Sequence, residues 1–241
     1  LSRVPRRDPR FLCESCGYDL SGRAIEGVCP ECGLSVAASS PALRTGSPWQ
    51  RRGAGLLSGI RAWFQTVQLI VTRPRACWAA FEAEARRSVG FLVVTSGVGA
   101  AIPALGLLYT GFSGQTAKAS YIASFFLTGW LVMLALSMIE FMGVRFIAGR
   151  RGWRVDAPVA ACIVSHASVG WIAAGTLVAL AWQVHSALIA RGVMRIVITV
   201  GPSVIYTVVL VIGGAMVLGI VAYESLVYCG VRGMKFANTR G

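Results

Sequence analysis

The sequence predicts an all-α membrane protein: about four transmembrane helices plus an interfacial amphipathic helix, preceded by a small cysteine-bearing β module. Three observations carry this reading. Of 241 residues, 55% are hydrophobic and only 14% charged, whereas soluble domains carry about 25% charged residues. A water-soluble globule of this size would lack the polar side chains to cover its surface. Four stretches, 88–117, 119–139, 157–190 and 196–223, contain no Asp, Glu, Lys or Arg, and each is long enough for a hydrocarbon core that needs about 20 apolar residues. Ahead of them, Cys13, Cys16, Cys29 and Cys32 are spaced C-x2-C-x12-C-x2-C.

In chain order, residues 1–10 form a basic arm with Arg3, Arg6, Arg7 and Arg10. Residues 11–36 hold the cysteines. Two C-x2-C pairs separated by about a dozen residues are a strong signal for tetrahedral zinc, because each turn directs two thiolates at one ion and the intervening chain can form a hairpin. This is a small β zinc ribbon with one Zn2+ as its expected cofactor. Gly17 and Gly33 follow the second Cys of each pair, where the backbone must turn back on itself. Two disulfides are the competing reading. Four thiolates close the coordination shell, so the role expected of the ion is structural and folding of the module should depend on it.

Charge within the ribbon bears on its partner. From Cys13 to Cys32, Arg23 stands against Glu14, Asp19, Glu26 and Glu31, and such an acidic surface repels phosphate. Nucleic acid is therefore disfavoured as a ligand and a protein partner is expected. The upstream arginines suit solvent or anionic lipid headgroups.

Residues 37–53 combine Ser, Pro, Gly and Arg without periodicity and read as a flexible linker. Residues 54–87 read as amphipathic, interfacial helices. Leu57, Ile60, Trp63, Phe64, Val67, Ile70 and Val71 recur at spacings of three and four, which suits either the membrane interface or packing on the bundle. Pro74 is placed to open a second helix, Arg75 to Arg87, that feeds the first span.

The transmembrane domain is expected over 88–232, with spans near 89–109, 121–144, 158–184 and 196–223. Helices are required because backbone groups in lipid must be satisfied internally, and the runs lack the alternation of barrel strands. Gly97 with Ala101, Gly170 with Ala174, and Ala215 with Gly219 are small residues one turn apart. They permit close helix approach, or a homo-oligomer through the same faces. Basic residues flank the spans unevenly: Arg73, Arg75, Arg86 and Arg87, then Arg145, Arg150, Arg151 and Arg154, then Arg232, Lys235 and Arg240 all fall on one side of a four-span chain. Lys118, Arg191 and Arg195 lie on the other. The expected topology places both termini, including a tail at 233–241, in the cytoplasm.

Ionisable residues at membrane depth are expensive and mark candidate sites. Glu140, His166, His185 and Glu224 are the acids and imidazoles in or beside the spans. Of these, His166 and Glu140 form the candidate intramembrane polar site, with Glu140 also able to pair with Arg145. No H-E-x-x-H, G-x-S-x-G, Walker A or dinucleotide-binding motif occurs, so the chain is not expected to be an enzyme.

The text CGYDLSG from Cys16 to Gly22, followed by CPECG from Cys29 to Gly33, resembles a small zinc ribbon that precedes membrane spans in many bacterial proteins. From about Ile60 to Phe236, the interfacial helix, the TRPRACWAAF segment from Thr72 to Phe81 and the Gly-rich spans resemble in layout the Yip family of polytopic membrane proteins. That resemblance implies a polytopic integral membrane protein; with the cytoplasmic zinc ribbon, the chain is read as a protein of the bacterial inner membrane with a protein-interaction or membrane-organising role. A transporter or permease subunit built around His166 is the alternative.

Overall fold

A computed structural model describes residues 10–109, 119–193, 197–200 and 203–238. The basic arm up to residue 9, Lys118, Arg195 and Arg240 lie outside the described residues. Seven α-helices are seen among them: α1 (Leu56–Thr72), α2 (Pro74–Ala80), α3 (Ala85–Tyr109), α4 (Ala119–Arg151), α5 (Ala157–Ala167), α6 (Val169–Ala190) and α7 (Thr207–Met234). Four segments are long and apolar enough to cross a membrane: Ala85–Leu107, Ala119–Arg151, the α5–α6 pair over Ala157–Ala190, and Thr207–Met234.

The fourth span departs from expectation at its start. Strands β1 (Val197–Val200) and β2 (Ser203–Tyr206) pair antiparallel, Val197 opposite Tyr206 and Val200 opposite Ser203, and the helix begins only at Thr207. The cause is local: Val197, Ile198, Thr199, Val204 and Ile205 are β-branched, and stiff χ1 angles favour a pleated strand over a helix. The third span is also broken. Ser168 separates α5 from α6, its hydroxyl donating to the Ser165 carbonyl at 2.6 Å while its own carbonyl accepts from the Trp171 N–H at 2.9 Å. α7 runs on to Met234, well past the predicted end near residue 223.

The chain divides into two compact units. Unit 1 comprises residues up to Arg87, Met142–Ile163 and Cys229 onward, and unit 2 comprises Ser88–Phe141 and Val164–Tyr228.

In unit 1 the segment read as a flexible linker is folded. Val36–Ser39 and Pro41–Leu43 form short 3-10 turns, and Arg44, Ser47, Trp49 and Gln50 are buried. Ser47 and Gln50 satisfy each other as a capping box: the Ser47 hydroxyl accepts the Gln50 N–H at 3.1 Å and the Gln50 side-chain oxygen accepts the Ser47 N–H at 2.7 Å. The Gln50 amide also donates to the Glu82 carbonyl at 2.7 Å. That external bond accompanies the end of α2 at Ala80 and the gap before α3, so the expected helix from Arg75 to Arg87 is two pieces. Pro74 does open α2, as its fixed φ predicts. Trp49 donates from its indole to the Arg87 carbonyl at 2.8 Å and from its backbone to the Thr66 hydroxyl at 2.9 Å. These bonds seat α1 through Ala62, Thr66 and Ile70, all buried, while Leu56, Leu57, Ile60, Phe64 and Val71 stay exposed.

Unit 2 is built around α6. Its backbone approaches α3 so closely that a Cβ on Gly175 would collide with the Gly99 carbonyl, and one on Gly99 with the Trp171 carbonyl. Against α7, Gly170 meets the backbone of Tyr223, and Gly219 meets Ala174. Of the small residues picked out for close approach, Gly170, Ala174 and Gly219 thus serve packing within the chain. Of the most apolar window in the α5–α6 pair, 61% is buried, against 6% in α4, which makes α6 central and α4 peripheral. Polar side chains tie the helices further. Trp130 donates to Ser96 Oγ at 3.1 Å, Trp171 to Ser137 Oγ at 2.9 Å, and Gln183 to the Gly106 carbonyl at 3.2 Å.

Two glycines in this fold should respond in opposite ways to substitution. Gly175→Val forces α3 and α6 apart and is expected to destabilise by about 1–3 kcal/mol, read as a lower unfolding midpoint in detergent. Gly149 on α4 faces open space, and Gly149→Ala should leave the midpoint unchanged or raise it by up to about 1 kcal/mol.

Candidate metal centre

The cysteine module is two near-identical knuckles. In the first, the Gly17 N–H donates to the Cys13 carbonyl at 2.8 Å and the Cys13 N–H to the Tyr18 carbonyl at 2.8 Å. In the second, Gly33 donates to Cys29 at 2.9 Å and Cys29 to Leu34 at 2.7 Å. Each knuckle closes through a glycine of positive φ, +83° at Gly17 and +73° at Gly33, a conformation that L-residues with a Cβ rarely adopt. The expected β hairpin is reduced to two isolated bridges, Leu12 with Asp19 and Val28 with Ser35. Backbone groups that a ladder would use are spent on closing the knuckles.

These turns bring the four predicted ligands together. The Sγ atoms of Cys13, Cys16, Cys29 and Cys32 all lie within 4.8 Å of one another, with Cys13 to Cys32 at 3.5 Å and Cys16 to Cys29 at 3.6 Å. Sulfurs bound to one tetrahedral ion at about 2.3 Å would be about 3.8 Å apart, so the cluster can hold a metal ion with little rearrangement. All four cysteines are free thiols. Cys13 and Cys29 are sealed beneath Leu20 and Val36, with Phe11, Tyr18 and Leu34 around them, while Cys16 and Cys32 are exposed.

Four thiolates repel one another without a cation between them. The Leu34 backbone N–H holds the Cys32 thiol down to about 7. Desolvation, with hydrogen bonds from the neighbouring thiols, pushes Cys16 up to about 12. Metal binding must therefore release protons, and a cation supplies the charge that lets all four ionise.

The acidic and basic side chains nearby do something the spacing did not foretell. Glu14, inside the first C-x2-C, accepts a two-pronged bond from Arg44, Nε to Oε1 at 2.9 Å and Nη2 to Oε2 at 2.8 Å. The third nitrogen of Arg44 donates to the Trp78 carbonyl at 3.1 Å and the Phe81 carbonyl at 3.0 Å. The guanidinium thus caps the C-terminal end of α2, where carbonyls lack partners and cations are favoured. From the other end of the chain, Asn238 accepts the Leu12 N–H at 3.1 Å and donates to the carbonyls of Leu12 at 2.7 Å and Ser39 at 2.8 Å. Its backbone N–H reaches Glu14 Oε1 at 2.9 Å. Phe236 packs against Gly17, where a Cβ would lie 2.8 Å from its ring.

Residues 236–238, assigned to the tail at 233–241 by the sequence reading, are therefore part of the cysteine module's seat. Arg154 adds to it, donating to the Arg10 carbonyl at 2.7 Å. No local signal marks Asn238, because its partners lie 84 to 226 residues away. Arg44 also stands in an uninformative Ala-Leu-Arg-Thr-Gly context.

Both residues of the candidate intramembrane pair, His166 and Glu140, lie in unit 2. His166 is fully buried and stacked on Phe91 at 5.1 Å. Glu140 is half-buried on α4. His185 is buried and bonds Thr207 Oγ1 at 2.8 Å. Cys77 is fully buried, burial pushing its thiol up to about 12, which fits packing and not reactivity. Comparison with protein-family models, with curated proteins and with solved structures finds no match.

Two outcomes follow for the centre. Glu14→Gln leaves the Arg44 charge buried without its counter-ion and is expected to cost about 3 kcal/mol. Bound metal should be retained while protease cleavage between residues 10 and 53 accelerates. Protons compete with the metal for the sulfurs, and below pH 7 even Cys32, held more acidic than Cys16, is protonated, so metal retention measured by elemental analysis should fall progressively as pH drops.

Proposed function

We propose that the chain is an integral membrane protein of the bacterial inner membrane, with a structural Zn2+ in a cytoplasmic ribbon that serves as a protein-interaction or membrane-organising element. The observation that carries this reading is the closed shell of four cysteine sulfurs, which offers an ion no open position for water or substrate. Zinc is favoured over other metals because four soft thiolates in tetrahedral reach suit it, and iron held by four thiolates is the chemical alternative. The arginine-rich segments, including Arg73, Arg75, Arg150, Arg151 and Arg232, favour placing the ribbon side in the cytoplasm. There, thiols stay reduced and available to metal. The resemblance in layout to the Yip family agrees with a non-enzymatic role.

The ribbon's outward residues support a protein partner. Glu14 is committed to Arg44 and Asp19 accepts the Ser21 N–H, which leaves Ile25, Glu26, Val28 and Glu31 exposed on the second knuckle and its approach. Two apolar side chains among acids suit a partner with an apolar contact ringed by Lys or Arg, and they repel nucleic acid. Exposed Leu57, Ile60 and Phe64 on α1, with Arg61 beside them, favour contact with the headgroup region of the bilayer. The sealed, stacked setting of His166 favours packing over a transport path.

Crosslinking in membranes followed by purification tests this. A partner captured by the wild type should be lost from the Ile25→Glu, Val28→Glu double variant, with one zinc per chain retained in both. Purified chain with no zinc would overturn the reading, as would a partner profile indifferent to the double variant.

A further inference from the structure

We infer that the guanidinium groups of Arg52 and Arg87, fixed around Trp49 in unit 1, form a binding site for the phosphate of an anionic phospholipid headgroup. The inference deepens the reading given to α1 above and rests on the chain being an integral membrane protein.

Trp49 is the centre of the arrangement. Its ring is 6% exposed, its indole donates to the Arg87 carbonyl at 2.8 Å, and its backbone N–H donates to the Thr66 hydroxyl at 2.9 Å. Arg52 lies over the face of that ring, Cζ 3.7 Å from the centroid, and its Nη1 donates to the Trp49 carbonyl at 2.9 Å. The side chain of Arg87 donates from Nη1 to the next carbonyl along, that of Gln50. Two permanent positive charges are thus lodged on neighbouring carbonyls of one turn. Each guanidinium is oriented by a fixed partner, so it has little rotamer freedom left to lose on binding a ligand. Nη2 of each lies outside these contacts and is available to the oxygens of an anion.

Little within the protein answers this charge. Glu84 meets Arg87 Nε at 3.6 Å, with the two side chains 38% and 53% exposed, and an ion pair so open to water is weak. Arg51 and Arg86, both exposed, add to the positive side, so that four arginines in 51–52 and 86–87 stand against Glu82 and Glu84. Burial, and then the charge of Arg87, pull Arg52 below its ordinary value, with Glu84 opposing. Arg86 and Arg87 also occupy the first turn of α3, an end of a helix where cations are disfavoured. The helix gains nothing from them there, whereas a bound anion relieves every one of these repulsions.

Position selects the anion. Arg87 is the third residue of the apolar segment Ala85–Leu107, and the first turn of a segment that crosses a bilayer lies among the headgroups. Charge at the flank of a span needs no fixed geometry, but the forked donors of two oriented arginines match phosphate oxygens. Trp is at home at the same depth. Through Thr66, Trp49 is fastened to α1, whose exposed Leu57, Ile60 and Phe64 suit nearby acyl chains.

Native mass spectrometry of the purified full-length chain in detergent, after titration with phosphatidylglycerol or with phosphatidylcholine of the same acyl chains, tests the inference. The wild type is expected to hold one phosphatidylglycerol at least about tenfold more tightly than phosphatidylcholine. Arg52→Gln with Arg87→Gln should abolish that preference. Arg51→Gln with Arg86→Gln removes the same charge from exposed neighbours and should keep most of it, which separates a formed site from diffuse attraction. Helicity by circular dichroism checks that each variant is folded. If the first pair is not, Arg52→Lys with Arg87→Lys decides, since it keeps both charges, loses the forked donors and should weaken the lipid severalfold. Equal loss in both glutamine pairs, unchanged binding by the lysine pair, or no preference in the wild type would each overturn the inference. Inorganic phosphate retained by the wild type in place of lipid would put a free anion in the site and overturn the lipid assignment. On the same samples, a chain that stays monodisperse without detergent would remove the membrane reading and this inference together, whereas a detergent-dependent chain without the preference removes the inference alone.

Discussion

Arg44 carries a permanent positive charge into a position that is only 2% exposed, and the folding of unit 1 is organised around meeting that demand. A buried guanidinium is tolerated only when paired and fully hydrogen-bonded. Glu14 supplies the counter-charge in the planar, two-pronged geometry that arginine matches best. The carbonyls of Trp78 and Phe81 take the remaining nitrogen. Since Glu14 lies between two cysteines of the cluster and the carbonyls lie at the end of α2, satisfying one side chain orients the cysteine module on the helix. Asn238 reinforces this, bonding Leu12 and Ser39 while its backbone N–H reaches Glu14. The acidic charge of the ribbon, which in sequence argues against nucleic acid, is thus partly an internal fastening.

Unit 2 solves a different problem. Lipid tails are as apolar as leucine side chains, so helices there gain little from hydrophobic burial and depend on close van der Waals contact and interhelical hydrogen bonds. Gly99, Gly170, Gly175 and Gly219 remove the side chains that would hold α3, α6 and α7 apart. Trp130, Trp171 and Gln183 place their N–H donors on Ser96, Ser137 and the Gly106 carbonyl. Tyr223 departs from this economy, with an aromatic ring stacked on Trp171 and a hydroxyl left unmatched.

Much of the architecture is legible in the chain because it follows from rules of short range. Runs free of charge locate the four apolar segments, since a charged side chain in hydrocarbon is costly enough to be excluded. C-x2-C spacing with Gly17 and Gly33 locates the metal cluster, because turn geometry is set within five residues. Errors arose where local signals conflicted or were read at the wrong scale. The β-branched residues from Val197 to Ile205 sit in an apolar run that hydropathy alone reads as helix. Ser47 and Gln50 carry the S-x-x-Q signature of a capping box inside a segment whose overall composition reads as a linker.

By itself the sequence determined the four apolar segments and the four sulfurs that can share an ion, because each depends on composition or on neighbours a few residues apart. Tertiary structure alone decided that Asn238 and Phe236 belong to the seat of the cysteine module and that Arg44 joins Glu14 to α2. Those pairings join residues separated by 30 to 226 positions, and hydrogen bonds or charges that meet only after the chain has folded leave no periodicity behind.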